Sequence, residues 1–279
     1  EYLKALAETA EAVGAASLWA PEHIVLVDEY RSRYPYSDDG RLPLDPSSGG
    51  LADPFAVLTF IAALTRSVRL GTGICLVPQR NPVYTAKMVA CLDVLSKGRV
   101  DFGVGVGWLA EEFAALGVAF ERRGARTRAY LEVMRRLWTE PVASYQSEFY
   151  ALPPVRFEPK PIQRPHPPIL FGGESDAALR RVADVGQGWF GWNVTPEMTA
   201  ERVAALERLL EARGRKLGDV SITVSPYVRP TQDLDAIKRY RDAGASQVVM
   251  LLFGAETTAK VRPAVAALGE AIIEPARRL

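Results

Sequence analysis

The 279-residue sequence predicts an α/β fold, a (β/α)8 or TIM barrel forming one domain over residues 1–279. Three observations lead there. Val/Ile-rich segments of strand length alternate with helical segments along the whole chain. The helix-length connections between consecutive strands impose parallel pairing. The length suits the roughly 250 residues that such a barrel commonly takes as one unit.

The chain opens on a helix, with Tyr2, Leu3, Leu6, Ala7, Ala10 and Val13 at helical spacing and Gly14 in the position of a C-cap glycine. A short strand follows at 16–20. Residues 31–50 are rich in Pro, Ser, Asp and Gly without a sustained period, which predicts a long surface loop. A helix over 54–65 then precedes a strand over 68–76, and a helix over 82–95 precedes a strand over 99–105. Asn81 before Pro82 supplies an N-cap with proline at the first helical position. The helix at 123–138 leads through a proline-rich connection at 153–168 to a strand at 169–171. After it come helix 176–185, strand 188–192, helix 196–213, strand 220–228, helix 234–243, strand 247–253 and a closing helix at 257–273. Seven strands are one short of a closed barrel. Because the chain opens on a helix where the repeating unit opens on a strand, the first strand is expected upstream of Glu1. An open doubly wound sheet is the alternative.

Charge and composition narrow the partners. The 34 basic and 33 acidic residues give a net charge of +1 and are mixed along the chain, so there is no polycationic footprint for nucleic acid or an anionic membrane. A small-molecule substrate is the expectation. Cys75 and Cys91, the only two cysteines, lie in apolar segments and read as reduced core residues. The longest apolar runs, 56–64 and 248–253, fall short of the roughly 18 residues of a membrane span, and no signal peptide is expected ahead of Glu1. A cytoplasmic protein is expected.

In a barrel the chemistry sits on loops at the carboxyl ends of the strands, and four such places carry unusual residues. After the first strand, Glu22 and His23 bring a carboxylate and an imidazole together, for acid–base work or as a histidine bonded under a loop. His166 lies in the proline-rich connection and no His/Glu helix motif is present, so no metal site is expected. After the second strand come Thr72, Gly73 and Ile74, where glycine marks a bulge or the close approach of another molecule; Arg80 beyond them is a surface charge or an anion ligand. The third strand ends on Gly103, Gly105 and Gly107, an alternating series that either receives a flat ring on its bare face or packs tightly in the core. The fourth ends in Gly172, Gly173, Glu174 and Ser175 before a helix, either an anion site built on free amides or an ordinary capped turn.

At these four places the sequence resembles the luciferase-like monooxygenase superfamily, in its branch of F420-dependent oxidoreductases. The resemblance rests on LWAPEH (18–23), RLGTGICLVPQRNP (69–82), LDVLSKGRVDFGVGVGWLAEEFAALGV (92–118), PPILFGGESDAALRR (167–181) and GQGWFGW (186–192). It implies hydride transfer between coenzyme F420 and a small organic substrate, with FMN monooxygenation and non-catalytic carriage of a deazaflavin as rivals. It further implies a cofactor phosphate near Gly172, Gly173, Glu174 and Ser175, a non-prolyl cis peptide at Gly73–Ile74 under the ring, and Thr72, Gly105 and Gly107 about its rim. His23 and Glu22 would then face the reactive edge. Trp19, Trp108, Trp189 and Trp192 would line a substrate pocket, with residues 34–46 as a lid, and the active form would be a homodimer. The F420-dependent sugar-phosphate dehydrogenases carry glutamate where this chain has Trp108, which argues against sugar-phosphate chemistry; Glu111 and Glu112 stand one turn later.

Overall fold

A computed structural model describes residues 1–44, 51–227, 233–252 and 254–279. Residues 45–50 of the expected loop, 228 of the sixth expected strand and 253 of the seventh lie outside the described residues. The elements run α1 (Tyr2–Ala12), β1 (Ser17–Ala20), α2 (Pro54–Leu64), β2 (Arg69–Thr72), β3 (Cys75–Leu76), α3 (Pro82–Ser96), β4 (Val100–Gly105), α4 (Ala110–Ala115) and α5 (Arg123–Thr139). They continue with β5 (Ala143–Gln146), β6 (Ala151–Val155), β7 (Ile169–Gly172), α6 (Asp176–Val185), β8 (Gly188–Trp192), α7 (Pro196–Glu211), β9 (Ser221–Ser225), α8 (Leu234–Asp242), β10 (Gln247–Val248) and α9 (Thr258–Leu268).

The helices begin where capping chemistry allows. Asp53 accepts hydrogen bonds from the amides of Phe55 and Ala56 with Pro54 behind it, and Asn81 does the same for Val83 and Tyr84 ahead of α3. One curled sheet carries the strands in the order β1-β2-β4-β7-β8-β9-β10, all paired in parallel, with β3 pairing β4. This is the TIM-barrel class of α/β fold. The strand expected over 68–76 is divided into β2 and β3 by a cis peptide at Gly73–Ile74. β1 and β10 end the sheet, and across the seam between them Gln247 Nε2 donates to Ser17 Oγ at 2.8 Å. An antiparallel hairpin, β5 with β6, occupies a stretch read as connection; Pro153 and Pro154 mislead there, since an edge strand tolerates residues without an N–H. Among the described residues no helix is long and apolar enough to cross a membrane.

Strand alternation sorts the core. Leu70, Phe102, Val104, Ile169, Phe171, Ile222 and Val224 join the apolar layer with Leu58, Val89, Leu131, Leu179 and Leu206 of the surrounding helices. Cys75 is buried in that layer and both cysteines are free. The alternate positions Gly71, Gly103, Gly105, Gly172 and Gly188 carry no side chain into the barrel. Other groups take the space: a Cβ on Gly71 would stand 2.2 Å from the Trp19 ring, and one on Gly105 2.1 Å from Ile74 Cδ1. Gly71→Ala is therefore expected to destabilise the fold by about 1–3 kcal/mol through overpacking, seen as a lower melting temperature. Gly218→Ala, where a Cβ meets nothing within 4 Å, is the near-neutral control.

Candidate active site

The loop after β1 brings Glu22 and His23 to the rim, and their side chains take different partners. Glu22 is 5 % exposed; it accepts the Leu76 amide at 2.5 Å and the Arg80 Nε at 2.7 Å, while Arg80 also reaches Asp53 at 2.6 Å. Glu22 thus ties the loop after β1 to β3 and, through Arg80, to the cap of α2. It is a positioning residue, committed to the Leu76 amide and the Arg80 guanidinium. Arg80 is accordingly neither a surface charge nor an anion ligand.

His23 turns instead to α4. Its Nδ1 lies 2.9 Å from Oε2 of Glu112, a carboxylate with no solvent exposure that also accepts the Ile24 amide at 2.7 Å and Gln79 Nε2 at 3.2 Å. Burial alone would raise the Glu112 carboxyl, but hydrogen bonding and charge attraction from His23, with Gln79 and Ile24, outweigh it and hold it below its ordinary range. An ionised Glu112 can only accept, so it holds a proton on His23 Nδ1 whether or not the ring is charged. Nε2 then remains the proton-exchanging nitrogen, and it has no partner among the described residues. Glu112 was visible in the sequence only as one of two adjacent glutamates; the tertiary contact singles it out.

Trp108 sits edge-on to His23 at 6.0 Å, to Tyr30 at 5.6 Å and to Tyr34 at 5.2 Å. The described part of the expected lid therefore lies across the rim. Its far side is held by Tyr36, whose carbonyl accepts Asn193 Nδ2 at 3.3 Å. The Trp192 ring packs against that of Tyr227 at 4.8 Å. Burial pushes the Glu174 carboxyl above its ordinary range despite the Trp192 amide at 2.7 Å and the Tyr36 hydroxyl.

On the near side Glu111 accepts the amides of Arg31 at 2.6 Å and Ser32 at 3.2 Å. Burial would raise Glu111, yet these amides and the Ser32 hydroxyl hold it at about 2. A depressed folded value means that this tether is complete above the ordinary 4.5 and is lost as pH falls toward 2. Hydrogen exchange over residues 26–44 should rise across that window, and Glu111→Gln should bring the same rise at neutral pH.

The glycine turn is pinned from both sides. Gly173, at φ +104°, accepts the Trp189 indole on its carbonyl at 2.9 Å, and Ser175 Oγ caps the Ala178 amide at 3.3 Å. The Ser175 hydroxyl thus serves α6, and the amides at the start of that helix that have no partner among the described residues could hold an anion. Thr72 is buried, with its hydroxyl on the Gly103 carbonyl at 2.6 Å, so it braces β2 against β4 instead of offering a donor at the rim. The bare faces of Gly105 and Gly172 receive Ile74 Cδ1, and Gly107, at φ +77°, gives its carbonyl to Arg123.

The four tryptophans divide between two cavities and the core. Trp19 and Trp192 line a cavity of about 830 Å³ that also touches Gly73 and Phe190 and reaches the seam at Gln247. Trp108 lines a second, under the lid, with Tyr30 and Leu42. Trp189 is fully buried in the helix-facing layer, so it supports the glycine turn from beneath and lines neither. His166 is likewise internal, its Nδ1 on the Pro167 carbonyl at 2.8 Å.

The arrangement suits a flat heteroaromatic ring with an anionic side chain. Ile74 offers an apolar surface between two side-chain-free strand ends, and among the described residues Gln79 Oε1 is a buried acceptor without a partner and the start of α6 supplies unpaired amides.

The model of the luciferase-like monooxygenase family matches residues 1–271 of this chain. The Mycobacterium tuberculosis protein Rv0953c is 35% identical over 253 residues, covering 90% of this chain and 86% of its own. Among solved structures, the monooxygenase RslO1 from Streptomyces bottropensis superposes with a TM-score of 0.76 at 23% identity, over 99% of this chain and 93% of that one. The coenzyme F420-dependent tetrahydromethanopterin reductase of Methanopyrus kandleri gives 0.75 at 16% identity, over 98% and 94%. At such identities the superpositions identify the fold.

Proposed function

The chain belongs to the luciferase-like monooxygenase family, and from that premise we propose that it transfers a hydride between coenzyme F420 and a small organic substrate, with His23 handling the accompanying proton. The observation that carries this reading is the buried Glu112 carboxylate on His23 Nδ1, an arrangement that prepares Nε2 to give or take a proton.

Ile74, Gly105 and Gly172 would receive the ring, and the amides opening α6 would hold the phosphate. When bound, F420 supplies a two-electron hydride carrier. Trp108, Tyr34 and Trp192 close the rim and exclude water, and Glu112 keeps the imidazole in one tautomer and one orientation.

Titration with F420 and FMN side by side, followed by tryptophan fluorescence, tests the cofactor. F420 is expected to bind at least about tenfold more tightly, a difference of about 1.4 kcal/mol. Preference for FMN would overturn the choice in favour of flavin-dependent oxygenation.

A further inference from the structure

Gln79 carries an acceptor that the fold leaves unused. The side chain is 8 % exposed and closes the short turn Val77–Gln79 that follows β3. Its Nε2 donates to Oε2 of Glu112 at 3.2 Å, the same oxygen that takes His23 Nδ1. An ionised carboxylate only accepts, so the amide cannot be turned over: Oε1 in that place would set two acceptors against each other. Oε1 is therefore held away from Glu112, and among the described residues it has no partner although it is buried. A buried carbonyl without a donor is unfavourable for the fold. The turn is not free to relieve it. On one side Glu22 accepts the Leu76 amide, and on the other the Arg80 guanidinium is committed to Glu22 and Asp53. The amide also lies beside the rim, since a Cβ on Gly107 would stand 3.7 Å from Gln79 Nε2, and the next residue, Trp108, lines the cavity under the lid.

We propose that Gln79 is a substrate-binding residue, whose Oε1 accepts a hydrogen bond from a hydroxyl or N–H neighbouring the group that exchanges its proton with His23. The inference rests on the reading of the His23 rim as the reactive centre and adds a substrate class to it. His23 Nδ1 and Gln79 Nε2 meet on one oxygen, so the proton-exchanging nitrogen and the spare acceptor belong to two side chains fixed on a common carboxylate. A hydroxyl has one proton, and the proposed reaction assigns it to His23 Nε2. The donor for Gln79 must then come from a second group, which makes the substrate a vicinal diol or an amino alcohol. A site built around such an acceptor rejects an analogue that lacks the donor, because the carbonyl then stays buried and unpaired.

The test titrates the protein, without cofactor, with propylene glycol and with the methyl ether of its terminal hydroxyl. Binding is followed by ¹H–¹⁵N correlation on the Gln79 side-chain amide and the His23 imidazole. Wild type should bind the glycol about tenfold more tightly than the ether, with the Gln79 amide resonances displaced by the glycol. Gln79→Met removes the amide, and Gln79→Lys keeps a donor for Glu112 without the acceptor. Both variants should bind the two compounds alike, as read from the His23 resonances. Equal wild-type affinity for glycol and ether would overturn the proposal, as would a preference that survives in Gln79→Lys. Selection of the glycol by a protein that passes no hydride between it and F420 would keep the subsite and end the hydride-transfer reading. Turnover of both compounds with F420 at equal affinity would do the reverse.

Discussion

Replacing His23 with alanine is expected to lower turnover by about 10²–10⁴-fold while F420 affinity stays within a few-fold of wild type. The reason is local. His23 contributes an imidazole whose Nδ1 is taken by Glu112 and whose Nε2 has no partner among the described residues, so the substitution removes a proton carrier without removing Ile74 or the amides of α6. The check is steady-state turnover on a panel of alcohols and enones, scored by the visible absorbance of oxidised F420, beside a binding titration of the same variant. Loss of both activities together would point to a collapsed rim. Unchanged turnover would remove His23 from the chemistry and favour carriage of the cofactor.

The second large effect falls on Glu112. Glu112→Ala leaves His23 Nδ1, the Ile24 amide and Gln79 Nε2 without their buried acceptor and is expected to cost about 3–5 kcal/mol. Glu112→Gln keeps the shape but not the charge. It should lower turnover by about 10²-fold or more, because the imidazole is no longer held in one tautomer. The pH dependence carries a sign. The carboxyl is depressed in the fold, so the stability it adds is complete above its ordinary 4.5 and is lost as pH falls through the lowered value. Thermal melts of Glu112→Gln should lack the part of the acid-side decline that wild type shows in that window.

Much of the fold could be read from residue order because its signals are local. Asn81 with Pro82 marks the start of α3, Ser175 caps α6, and alternation of Leu70, Phe102, Val104 and Phe171 with glycines marks strands with one helix-facing side. What escaped depends on contacts distant in sequence. Residues 110–115 form a helix too short to show a period, yet that helix brings Glu112 to His23, 89 residues away. Glu22 and His23 read as a pair because they are adjacent, but each is claimed by a different element. The division of the tryptophans was within reach of the sequence. Trp189 and Trp192 are three apart on one strand and so face opposite sides of the sheet, which excludes a shared pocket.

The most direct test is the imidazole nitrogen spectrum of His23, recorded by ¹H–¹⁵N correlation with and without F420. The chain has two histidines, and His166 serves as an internal reference bonded to a carbonyl away from the rim. The account predicts a proton held on Nδ1 of His23 and a displaced Nε2 resonance on saturation with F420, with His166 unmoved. An Nε2–H tautomer, or a His23 spectrum indifferent to bound cofactor, would contradict it.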